Sequence, residues 1–188
     1  LWIKPSIQRE LNYKGPIYFS DHHMAHAASS FFVSPFNQAA ILTVDGVGEW
    51  ATATFGHGKE NQIELLQEIR YPNSLGLLYS VITYFLGFKP NSDEYKVMGL
   101  SPYGQPVYLE KLKQFFKIFP DGSFSISHTI FGGNYLFGRI DKDLGKIFGF
   151  PKRASLDPLT QQHKDLAASL QELTNEVMVK LAKYVREK

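Results

Sequence analysis

The sequence predicts a single α/β domain, a mixed sheet with flanking helices, on three observations. Residues 39–44, 51–55 and 63–70 are apolar, β-branched or alternating, and turn-forming residues separate them, as in a three-strand meander. Helical spacing then takes over: Leu75, Leu78, Ile82 and Phe85 share one face, and later Leu166, Leu170, Leu173, Val177, Leu181 and Val185 share another. The third is size, since 188 residues make about one domain and bury roughly two thirds of its surface.

Composition narrows the class. Hydrophobic residues at 44% and charged residues at 20% match ordinary soluble globular chains and exclude a disordered one. The net charge is only +2, with Lys and Arg interleaved among acids, which argues against a dedicated nucleic-acid surface. With no cysteine, disulfides and thiolate metal sites are excluded, and any metal must take His, carboxylate, Tyr or backbone oxygen. That absence fits a cytoplasmic protein. The most apolar run, residues 75–88, is broken by Ser80, Thr83 and two glycines and is too short for a bilayer, so no membrane partner is expected. No signal peptide is visible, because Lys4-Pro5 follows the first residues at once. The chain lacks an initiating Met and ends on a charged helical pattern, so a piece of a longer protein is expected.

Taken in order, residues 1–15 read as a lead-in punctuated by Pro5 and Gly15-Pro16, and Ile17-Tyr18-Phe19 as a short strand. Ser20 or Asp21 can cap a helix over residues 22–32, whose Ala25, Ala27 and Ala28 suit close packing on a sheet. Turns are expected at Asp45-Gly46-Val47-Gly48 and Gly56-His57-Gly58, where residues tolerant of positive φ gather. A helix over residues 74–86 stops at Gly87. Residues 91–104 read as a polar loop with Tyr95, Met98 and Tyr103 packing inward, and 108–119 as a short amphipathic helix. The aromatic, glycine-rich stretch up to Arg153 takes no assignment, so 105–156 reads as an irregular insertion after the motif-bearing region 16–104. Asp157 as cap and Pro158 as first residue open the long helix of 157–188, with Gln161, Gln162, His163 and Lys164 on a solvated turn. Three strands followed by a helix is the opening of a ribonuclease-H-like half-domain, the unit of actin, sugar kinases and the heat-shock chaperone ATPase. That is an analogy of fold and carries no function.

Chemistry concentrates in residues 21–48. His22 and His26 are four apart, so a helix stacks them on one face, while His23 is turned about 100° away and reads as a packing residue. Two imidazoles are half a metal site or a solvated helix end. Asp45 follows nineteen residues after His26, and its Asp-Gly pair is either turn chemistry or a carboxylate set beside phosphate-binding amides. Asp93, Glu94 and Lys96 form a charged loop in which Lys96 could neutralise phosphate and Glu94 orient it or accept sugar hydroxyls. His57, His128 and His163 take no role. The chain has no nucleophile elbow, Walker loop or spaced-glycine fingerprint.

Four motifs, D-H-H-M-A-H-A-A-S-S-F-F (21–32), I-L-T-V-D-G-V-G-E-W (41–50), Y-P-N-S-L-G-L-L-Y-S-V-I-T-Y-F-L-G-F (71–88) and E-Y-K-V-M-G-L-S-P-Y-G (94–104), closely resemble the NodU/CmcH/TobZ family of O-carbamoyltransferases. So does H-K-D-L-A-A-S-L-Q (163–171). The resemblance implies an actin-like ATPase half-domain, related to the subunit that makes threonylcarbamoyl-adenosine in tRNA, truncated at both ends here. It implies a second, YrdC-like domain, absent from this chain, in which carbamoyl phosphate and ATP form carbamoyl-adenylate. The carbamoyl group then passes to a hydroxyl of a small molecule or glycan acceptor. By position His22, His26 and Asp45 match the family's metal ligands, the metal being Fe(2+) or another divalent ion. Gly46, Gly48 and Lys96 fall near the phosphate. A non-catalytic nucleotide- or ligand-binding module of the same fold is the rival, and the small net charge disfavours action on RNA. The acceptor and the oligomeric state stay open.

Overall fold

The structure, a computed structural model, describes residues 2–127 and 137–187, and within 137–142 it describes the backbone only. Three layers organise it. A three-stranded sheet, β1 (Gln38–Gly48), β2 (Ala51–Lys59) and β3 (Gln62–Arg70), lies between helix α2 (His22–Phe31) on one face and α3 (Leu75–Phe85) with α7 (Gln161–Glu187) on the other. Both pairings are antiparallel in the order β1-β2-β3. The parallel pairing of a mixed sheet does not occur among the described residues.

Alternation along β1 decides which side chains meet which layer. Ile41 packs with Ala27 and Phe31 of α2 in a small separate core, bordered by Ala39, Ile63 and Leu65. Leu42 and Val44 point the other way, into the main core with Ala53, Phe55, Leu78, Ile82, Phe85 and the apolar stripe of α7. That stripe is the one read from spacing: Leu166, Leu170, Leu173, Val177, Leu181 and Val185 are all buried. Burying a side chain of this size contributes about 1.5–3 kcal/mol, so α7 is a major source of stability.

Several boundaries differ from expectation. No strand forms at Ile17-Tyr18-Phe19; Tyr18 and Phe19 are largely exposed, with no neighbouring strand to take their backbone hydrogen bonds. The lead-in instead holds an exposed helix, α1 (Ile3–Glu10). β1 and β2 run through the expected turns and reverse at Glu49-Trp50 and Glu60-Asn61, where Glu49 and Glu60 take the left-handed φ that tight hairpins need (61° and 56°). The expected polar loop contains α4 (Glu94–Leu100) and a 3-10 turn (Ser101–Tyr103). Val97 and Leu100, three apart, turn inward there, which leaves Tyr95, Met98 and Tyr103 exposed rather than packed.

The expected helix over 108–119 is only α5 (Leu109–Lys113), because Phe116–Ile118 becomes β4 and pairs with β5 (Phe124–Ile126). In that pair the Phe116 and Phe124 rings stack 4.9 Å apart. α6 (Phe137–Phe148) follows; His128 lies outside the described residues. α7 begins at Gln161 and not at Asp157, since Asp157 is spent on a turn, accepting from the Ala154 amide and, through its carbonyl, from Arg153. Arg153 is itself buried and also donates to the Leu86 and Gly87 carbonyls at the end of α3. His163, expected in solvent, is buried edge-on to Phe150 and accepts from the Thr160 amide. Burial, and then the nearby Arg153 charge, hold its pKa below the ordinary histidine value.

Candidate metal centre

Local structure brings His22, His26 and Asp45 together. One turn of α2 separates the two histidines, so their rings stand 4.6 Å apart, nearly perpendicular, with the Nε2 atoms 3.0 Å from each other. Asp45 arrives from a bulge. Val44 pairs with Ala53 and Gly48 with Ala51, so Asp45, Gly46 and Val47 stand opposite Thr52 alone. Bulges of this kind bend a strand and re-aim a side chain. The Asp-Gly-x-Gly stretch read as a turn is this bulge, inside the strand.

The bulge is fastened from behind. Ser74, the N-cap of α3, accepts from the Leu77 amide and donates to the Gly46 carbonyl at 2.6 Å. A Cβ at Gly76 would meet the Asp45 carbonyl oxygen and the Gly46 nitrogen at 2.8 Å, so α3 can lie against the bulge only because residue 76 has no side chain. A Cβ at Gly48 would collide with the His22 ring. Gly46, by contrast, faces open space.

Asp45 divides its oxygens. Oδ1 accepts from the Gly46 amide at 2.6 Å, and Oδ2 lies 2.5 Å from His22 Nε2 and 3.6 Å from His26 Nε2. Partial burial alone would push this carboxyl up, but the Gly46 amide and the two histidines outweigh it and hold it below the ordinary aspartate value. The geometry fits a cation. Donors on a common ion at about 2.1 Å stand about 3.0 Å apart in an octahedral face and about 3.4 Å apart in a tetrahedral one. The three separations here bracket those values. Hydrogen bonds serve the arrangement less well, because His22 Nε2 carries at most one proton and faces both Asp45 and His26. Two imidazoles and a carboxylate on one face are a donor set suited to ferrous iron and similar divalent ions.

His23 packs as its rotation predicts. It is buried, with Nε2–H donating to the Ala51 carbonyl at 2.9 Å, which fixes the tautomer; Nδ1 then accepts from Thr43, and Thr43 from Thr54. This relay pins α2 to β1 and β2 beside the triad.

Two recesses adjoin the site. One, about 440 Å³, runs from Asp45 and Gly46 past Leu75, Tyr79, Ser80 and Glu94. The other, about 410 Å³, is lined by Ser20, His22, Ala25, His26 and Glu49. A larger cavity of about 600 Å³, beside Ala39, Phe55 and Tyr184, contains no triad residue, so size does not mark the chemistry here. Lys96 pairs with Asp93 at 2.9 Å and does not line the Asp45 cleft, whereas Glu94 does. Glu94 Oε1 accepts from Ser80 Oγ and the Asn91 amide, which makes it an anchor of α4 on α3. Sequence reading passed over Gly76 and Glu49; a glycine interrupting the apolar face of α3 was the available signal for the first.

Fold and site together define an α/β domain that gathers two imidazoles and one carboxylate at one end of its sheet. Residues 6–188 match the family described as "Carbamoyltransferase N-terminus", and the chain belongs to that family. It is 47% identical over 175 residues to the uncharacterized protein sll1178 of Synechocystis sp., covering 92% of this chain and 28% of that protein. It is 37% identical over 172 residues to nodulation protein NolNO of Sinorhizobium fredii, covering 91% and 24%. To nodulation protein NolO of Bradyrhizobium diazoefficiens it is 34% identical over 168 residues, covering 89% and 28%. The chain thus spans about a quarter of the length of these relatives.

Proposed function

We propose that this chain is the metal-bearing N-terminal part of an enzyme that transfers a carbamoyl group to a hydroxyl of a small molecule or glycan. The observation that carries the reading is the convergence of His22, His26 and Asp45 within 4.8 Å of one another, in a chain of this family. The meander followed by α3 supports the ribonuclease-H-like, actin-related half-domain as the finer fold. The donor is carbamoyl-adenylate, formed from carbamoyl phosphate and ATP in a YrdC-like domain outside these residues. A cytoplasmic site of action and the absence of a nucleic-acid partner belong to the same reading. No helix among the described residues is long and apolar enough to cross a membrane.

His22 and His26 offer imidazole nitrogens, and Asp45 offers Oδ2 while its Oδ1 is kept in place by the Gly46 amide. A divalent ion held there supplies positive charge that polarises the carbamoyl–phosphate anhydride and stabilises the departing phosphate. Gly46, with open space in front of its Cα, lets a phosphate come close to the backbone, and Gly48 leaves room for the His22 ring. Lys96 serves the phosphate only if it leaves Asp93.

The test uses the full-length protein with carbamoyl phosphate, ATP and Fe(2+). Carbamate formation on a hydroxylated acceptor, and its loss in His22→Ala, His26→Ala and Asp45→Ala with the fold intact, is the expected result. Full activity in all three variants overturns the site. Stoichiometric metal without any transfer would make the chain a ligand-binding module instead.

A further inference from the structure

The two recesses at the triad share no lining residue: one is lined by Asp45, the other by His22 and His26, so they approach the triad from separate sides. Ser20, His22, Ala25, His26 and Glu49 line the second recess, with no aliphatic side chain larger than an alanine methyl. Its one carboxylate is Glu49. Among the described residues, His22, His26 and Asp45 are the group whose donor atoms converge, so Glu49 borders the site without joining the ligand set.

The left-handed φ of Glu49 is the turn's requirement, since Glu60 takes the same conformation in the turn at the opposite end of β2. What distinguishes Glu49 is its position. The β1–β2 hairpin carries it directly beyond Gly48, the residue whose bare Cα lies against the His22 ring. An ionised carboxylate accepts hydrogen bonds and donates none, so it draws a hydroxyl into the recess and repels a phosphate.

We propose that Glu49 takes the proton of the acceptor hydroxyl, and that the acceptor, a polyhydroxylated molecule, enters through this recess. The inference rests on the carbamoyl-transfer reading. In the step, the acceptor oxygen bonds to the carbamoyl carbon as its proton passes to the Glu49 carboxylate. The bond from that carbon to the donor's phosphate oxygen breaks, and its electron pair leaves on the phosphate. Glu49, an exposed residue, then returns the proton to water.

Full-length protein loaded with Fe(2+) is given carbamoyl phosphate, ATP and, separately, methyl glucoside, myo-inositol or chitotetraose as hydroxyl probes. The probe carbamoylated fastest by wild type is carried forward. Glu49→Gln keeps the shape, and Glu49→Gly removes the carboxylate while suiting the left-handed turn. Both are expected to lower kcat by about 10²-fold or more, the usual scale of a lost general base, with bound Fe(2+) per chain unchanged. Glu49→Asp recovers part of the rate, and Glu60→Gln leaves it at the wild-type value. A Glu49→Gly protein with kcat within about twofold of wild type overturns the proposal, as does loss of Fe(2+) in step with activity. Wild type that carbamoylates none of the probes overturns carbamoyl transfer to such hydroxyls, and this inference with it. A failure of Glu49 alone leaves transfer intact.

Discussion

Two glycines show how narrow the tolerances around the triad are. Gly48 gives the His22 ring its place, so Gly48→Ala pushes the imidazole off the face it shares with His26 and Asp45. Displacing a ligand in this way costs about 10–100-fold in metal affinity, to be read by equilibrium competition with a chelator, while the folded signal by circular dichroism stays. Gly76→Ala sets two effects against each other. Alanine favours a helix interior by about 1 kcal/mol, but its methyl would sit against the Asp45 carbonyl and the Gly46 nitrogen, and overpacking costs about 1–3 kcal/mol. Backbone cannot yield as a flexible side chain does, so the clash wins, and a lower urea midpoint is the expected outcome. The histidine pair was legible because helical spacing alone places His22 over His26. Gly76 and Glu49 were not, because their importance arises from segments far away in the chain.

Among the elements, those whose burial is periodic were readable and those defined by pairing were not. Every apolar position assigned to α7 is buried as its spacing implies. The ends of β1 and β2 escaped, because Asp-Gly-x-Gly and Gly-His-Gly are turn chemistry in isolation and only pairing with a neighbour turns them into strand. α4 escaped for another reason: its inward pair, Val97 and Leu100, is too short a pattern to stand out among polar neighbours. Its anchor is titratable. Burial pushes the Glu94 carboxyl up, but hydrogen bonds from the Ser80 hydroxyl and the local amides overcome that and leave it below the ordinary glutamate value. A lowered folded pKa stabilises fully above the unfolded value, about 4.5, and this contribution fades as pH falls through the folded value. The stability gap between wild type and Glu94→Gln is therefore expected to be constant near neutrality and to close in acid. Urea midpoints from pH 6 down to pH 3 check this, and a gap that widens in acid reverses the sign.

At the scale of the molecule, the division of the interior matters most. α3 and α7 share the large core, whereas α2 is held by the small cluster of Ala27, Phe31 and Ile41, with the buried His23 relay beside it. Two of the three proposed ligands therefore stand on the lightly attached layer and the third on the sheet. An ion bridging them would act as a rivet between layers, and its affinity and the docking of α2 would become one thermodynamic quantity. Amide exchange should report this. Adding Fe(2+) under anaerobic conditions is expected to slow exchange in α2 well beyond any change in α7, and equal slowing in both would refute it. The converse follows from the same linkage: whatever loosens Phe31 from Ile41 lowers metal affinity from a distance, so a substitution two turns along the helix can silence the site without touching a ligand.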